Sequence, residues 1–90
     1  MTDVNTAQAV PGRELYTRHA LAGGRSVAML RIVDYADYCL VEAEVWPKDA
    51  DTQEPVRMGP YTFASAVEAT RFVTHALEAL MVLGCEVKAA

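Results

Sequence analysis

The residues with chemical potential in this chain are few and scattered. Its two histidines are His19 and His75. An imidazole does acid–base work when a nucleophile or carboxylate shares its site. Here the spacing brings no nucleophile to either ring. His19 falls on the core side of a strand pattern. His75 falls on the outer side of a helix pattern, near Arg71 and Glu78. Asp34 and Asp37 form a close carboxylate pair within "DYADY", where turn chemistry alone accounts for aspartate. Glu42 and Glu44 share one side of an alternating run, which suits cross-strand pairing with Arg18 and Arg31 better than metal binding or catalysis. Gly23-Gly24 has neither the helix nor the lysine that a phosphate-binding loop needs. Cys39 and Cys85 sit in apolar contexts without a metal or dithiol spacing. They read as reduced, packed thiols in a cytoplasmic protein. The expectation is therefore no catalytic residue, no cofactor and no metal.

One group is more suggestive. Tyr16, Arg18, Arg31, Tyr38 and Trp46 combine aromatic rings with guanidinium groups. Bases stack on such rings while arginines hold phosphates, best of all on an open sheet.

The elements that must carry these residues are legible. "MTDVNTAQAVPG" is polar and without pattern, so residues 1–12 read as a disordered tail and residues 13–90 as a single domain. The chain shows no secretion signal and no run approaching the roughly 18 apolar residues that span a bilayer. From Arg13 the pattern alternates. "RELYTRHAL" leads through Gly23-Gly24 into "SVAMLRIV", which reads as a hairpin. "CLVEAEVW" alternates again. "VRMGPYTF" is a fourth strand, which Pro60 assigns to a sheet edge or to a bulge after Gly59. The helix opens at Ser65 with Glu68 three residues on, a capping box, and stops at Gly84. "CEVKAA" is a short extended tail and a candidate fifth strand.

The predicted fold is α+β: a four-stranded antiparallel meander followed by one long C-terminal helix packed across one sheet face. A two-residue turn at Gly23-Gly24 pairs Ala20 with Val27, Arg18 with Met29 and Tyr16 with Arg31. A tight turn at Tyr35-Ala36 sets Arg31 opposite Leu40 and Met29 opposite Glu42. One face is then a core of Leu15, Leu21, Ala28, Leu30, Ile32, Cys39, Val41, Ala43 and Val45. Against it the helix turns Ala69, Phe72, Val73, Ala76, Leu77, Leu80 and Leu83. The other face carries Tyr16, Arg18, Val27, Met29, Arg31, Leu40 and Trp46, with Glu42, Glu44, Val33 and Tyr38. Val67, Met81 and Val82 lie off the helix's core stripe. An apolar face of this kind expects a partner.

Composition points the same way. Apolar residues make up 52% of 90 and charged residues 22%, a high apolar share for a chain with so little interior. The strand-strand-strand-strand-helix order is similar to one half of the single-stranded-DNA-binding fold of the whirly and transcriptional-coactivator type. That resemblance implies dimerisation and single-strand binding on the sheet. The net charge of −4 departs from the basic surface such a role favours. The leading expectation is a non-catalytic cytoplasmic homodimer that acts as an interaction or regulatory module, using Tyr16, Arg18, Val27, Met29, Arg31, Leu40 and Trp46, with protein partners and no membrane. The alternative is a single-stranded nucleic-acid binder using the aromatic and arginine face.

Overall fold

The computed structural model describes residues 12–48 and 54–89. The expected tail, apart from Gly12, and the middle of the 47–55 loop lie outside the described residues. Five strands and one helix follow in order: β1 (Arg13–Ala22), β2 (Arg25–Asp34), β3 (Cys39–Val45), β4 (Val56–Phe63), α1 (Ala66–Val82) and β5 (Glu86–Ala89). The strands form one antiparallel sheet in the order β4-β3-β2-β1-β5. The α+β class and the meander are as expected. The strand count is not: the C-terminal residues add a fifth strand along β1, with Arg18 opposite Ala89 and Leu21 opposite Glu86.

Each element has a local cause. Gly23 and Gly24 both take positive φ, 58° and 81°, which a two-residue hairpin turn demands and only glycine adopts without strain. The helix starts where Ser65 Oγ accepts a hydrogen bond from the Glu68 amide at 3.3 Å. It ends in a Schellman turn: the Gly84 amide bonds Met81 O and the Cys85 amide bonds Leu80 O, with Gly84 at φ 97°. β4 fulfils both readings of Pro60. It is an edge strand, and its pairing with β3 slips by one residue between Met58 and Tyr61.

The hairpin register differs from expectation. Leu21 faces Ser26 as predicted, but a bulge at Val27 then sets Ala20 opposite Ala28, Arg18 opposite Leu30 and Tyr16 opposite Ile32. A one-residue slip turns every following side chain to the other face. Ala20, fully buried, therefore replaces His19 beneath the helix. Burying that imidazole among aliphatic side chains would cost it its water, and the bulge avoids this. A second slip between Glu14 and Tyr16 restores the original phase, so Leu15 and Tyr16 both pack on the core. The β2–β3 connection is longer than expected, with Asp34 facing Cys39 and Arg31 facing Glu42. That shift is by two residues, so the faces of β2 and β3 are kept.

The core comprises Leu30, Ile32, Cys39, Val41 and Ala43 from the sheet, with Ala69 and Val73 from the helix. Leu15, Phe63, Ala76, Leu77 and Leu80 pack around it. Leu21 and Val45, expected in the core, are half-buried outside this cluster. Leu83, expected on the helix stripe, is 79% exposed because it caps the helix past the sheet's reach. Phe72 keeps 37% exposure and leans on the rings of Phe63 and Tyr61 at 5.2 and 5.4 Å.

Candidate interaction surface

The helix packs on one side of the sheet, and no described element lies over the other. On that open side, register places Val33 beside Leu40, Arg31 between Thr17 and Glu42, and Met29 between His19 and Glu44. Arg57 of β4 continues the last row. Three of the seven residues expected on the interaction face thus stand together: Met29, Arg31 and Leu40. Val27 and Trp46 stand at the end of the sheet, where both line a cleft shared with Leu80, Leu83 and Cys85. All five are half-buried by their neighbours.

Tyr16 and Arg18 do not join them. The bulge at Val27 turns both to the helix side, where Tyr16 packs against the core. The Arg18 guanidinium lies 4.3 Å from the Tyr16 ring centroid and donates to Thr17 O at 3.0 Å. Their expected membership of the open face is corrected by this register. Tyr38 sits beyond the strand end, stacked on Tyr35 at 5.3 Å.

Arg31 is the electrostatic centre of the open face. Its Nε donates to Glu42 Oε1 at 2.8 Å, and its Nη2 reaches the same carboxylate. Glu14 approaches Nη1 at 3.9 Å from the other side. Glu14 is itself held by the Thr17 hydroxyl, which donates at 2.8 Å. The Glu42 hydrogen bond above all, with the charges of Glu42, Glu14 and Glu44, raises the Arg31 pKa beyond its ordinary value. Glu44 pairs with Arg57 at 3.6 Å. The predicted cross-strand network therefore exists in part: Arg31 meets Glu42, whereas Arg57 replaces Arg18 opposite Glu44. Between the two ion pairs lies a cleft of about 240 Å³, lined among others by Met29, Met58 and Pro60.

Thr17, His19, Glu14 and Arg57 belong to this surface although sequence reading left them out. Thr17 and His19 depend on the bulge at Val27, which alternation alone does not reveal, whereas Glu14 keeps the phase of the unslipped hairpin. Arg57 required the β4 register across a long loop. His19 is within 3.0 Å of Ser26 Oγ, and its ring centroid lies 5.9 Å from that of Trp46.

The remaining chemistry-bearing residues stay apart. Asp34 Oδ1 accepts from the Ala36 amide at 2.8 Å, and Oδ2 faces Arg13 at 3.6 Å. Asp37 donates its amide to Tyr35 O at 2.8 Å. Both thus serve the turn. His75 meets only Glu78, at 3.9 Å on the helix exterior. Cys39 is buried and Cys85 half-buried, and both are free thiols. Among the described residues no group of three His, Cys, Asp or Glu side chains is placed to hold a metal ion. None of the described helices is long and apolar enough to cross a membrane. Comparison with protein-family models, with curated proteins and with solved structures finds no match for this chain.

Proposed function

We propose that the protein is a non-catalytic interaction module that pairs with a second copy of itself through the open sheet face. One observation carries this reading: a five-stranded sheet has a helix on one side and no described layer on the other. A sheet packed on one side only commonly leaves its second face to water as an alternating polar surface. This second face instead holds Met29, Val33 and Leu40 around ion pairs already closed within the chain.

The charge pattern favours a second copy over other partners. A two-fold interface sets each patch against itself, so one-signed charge repels and mixed charge does not. Arg31 and Arg57 stand beside Glu14, Glu42 and Glu44. The patch carries both signs and a slight negative excess, which suits self-pairing and opposes phosphate. The same geometry lends less support to single-strand binding on this face. Tyr16 and Arg18 leave the face that a base-stacking platform would need.

Met29→Glu together with Leu40→Glu places two further carboxylates on the patch. Light scattering behind a sizing column, across a concentration series, is expected to show a dimer for the parent chain and a monomer for the variant. Circular dichroism should be unchanged. A parent chain that remains monomeric at high concentration, or a folded variant that remains dimeric, removes this reading.

A further inference from the structure

At one end of the molecule, the layer between sheet and helix opens into a second cleft of about 320 Å³. Trp46 lines it from the sheet side, and Leu80, Leu83 and Cys85 line it from the helix end. The Schellman turn holds this wall in place, since the Cys85 amide bonds Leu80 O at 3.0 Å. The helix end is also the most exposed apolar stretch in the structure, with Val82 at 86% and Leu83 at 79%.

Two cations border the same cleft, Arg25 and Lys48. Every other arginine of the sheet is engaged. Arg13 faces Asp34, Arg31 faces Glu42 and Glu14, Arg57 faces Glu44, and Arg18 lies over Tyr16. Arg25 and Lys48 have no ion-pair partner among the described residues. In a chain of net charge −4, two cations with no ion-pair partner among the described residues, set beside an apolar hollow, make a local site of opposite sign. Apolar walls with a small number of charged groups at the mouth are the usual make-up of a small-ligand site.

We propose that this cleft binds a small amphipathic carboxylate. Its apolar body lies among Trp46, Leu80 and Leu83, and its carboxylate meets Arg25 and Lys48. The pairing suits the chemistry, because a guanidinium presents two parallel donors to a carboxylate and an ammonium adds a point charge. The inference does not depend on pairing through the open sheet face.

Trp46 is the sole tryptophan, so its emission reports on the cleft directly. The full chain is titrated with decanoate below its micelle-forming concentration. A saturable change in emission is expected. Decanol, which shares the apolar body but lacks the charge, is expected to bind about tenfold more weakly, as loss of a charge-assisted hydrogen bond implies. Arg25→Gln with Lys48→Gln should weaken decanoate by about the same factor and leave decanol unchanged. Leu83→Asp, at an exposed position, should abolish binding of both without unfolding the chain. Absence of saturation with decanoate overturns the proposal. So does equal affinity for decanol, which would make the hollow merely apolar. A response to anionic lipid vesicles but not to dissolved decanoate overturns it as well, since the helix end would then be a bilayer-contacting tip.

Discussion

Cys39 is 2% exposed, and its thiol donates to Asp34 Oδ1 at 3.6 Å. Burial first, and the nearby Asp34 charge second, push its pKa above the ordinary thiol value. In the unfolded chain the same thiol loses its proton at lower pH. Stability from this group is thus complete below the unfolded thiol pKa and declines as pH rises through and beyond it. Urea unfolding followed from about pH 7 to about pH 10 should show a falling midpoint for the parent chain and a flatter one for Cys39→Ala. The variant is expected to be less stable near neutrality because it empties core volume. Reactivity follows the same logic: an alkylating reagent at mildly alkaline pH should modify half-buried Cys85 well before Cys39. At this scale the sequence was a fair guide to types and a poor guide to neighbours. The apolar context of Cys39 was plain from "CLVEAEV". Its Asp34 partner was not, because the four-residue connection of β2 to β3 could be placed only once Ala36 was seen to take φ 76°, unusual for a residue with a Cβ.

Among the elements, β4 shows how an edge is kept from pairing with strangers. Its residues are exposed almost throughout, including Val56, Met58 and Tyr61. An exposed apolar edge invites another strand, and a proline and a bulge are the usual means of refusing one. β4 has both within two residues. Gly59 makes the bulge, at φ 82°, and a Cβ there would lie 2.9 Å from the Tyr61 amide nitrogen. Gly59→Ala should therefore destabilise the fold by roughly 1–2 kcal/mol or more, from the φ penalty before the clash. Denaturant unfolding checks this, and a cost below about half a kcal/mol would show that the bulge is not needed for stability. Helix boundaries, the hairpin turn and the first four strands were legible, because caps, paired glycines and alternation are local signals. Which face of β1 meets the helix was not. Alternation in "RELYTRHALA" fits either phase. The phase was settled by whether Ala20 or His19 could be enclosed under a helix, a tertiary question.

For the whole molecule, self-pairing has a thermodynamic signature that monomer stability lacks. If the open faces meet, the folded dimer is favoured by mass action, and the unfolding temperature should climb with protein concentration. A melting temperature independent of concentration over two orders of magnitude, roughly the micromolar to sub-millimolar range, would contradict the proposal. Salt offers a second check. The charges on the face are matched inside each chain, so dimer dissociation should change little between low and high salt. Phosphate binding by freely available arginines would fall steeply over the same interval. The architecture was readable in outline from the order of patterned segments. The fifth strand was readable only as a candidate, since four residues carry too short a pattern to establish pairing by themselves.

That fifth strand has a consequence in time. β1 to β4 are joined by successive neighbours in the chain, whereas β5 pairs with β1 from about seventy residues away, a non-local contact that favours late formation. It is also the shortest strand and holds only one neighbour. β5 should therefore be the last to dock and the first to let go. Its amides should exchange with solvent faster than those of β2, which is bonded on both sides. Equal protection of the two would show that the sheet opens as one unit. Each release of β5 uncovers the free edge of β1 while the rest of the fold stands. Fast exchange in β5 would thus mean that the protein passes repeatedly through a state with a vacant strand position at one margin, its lifetime set by how quickly four residues find their place again.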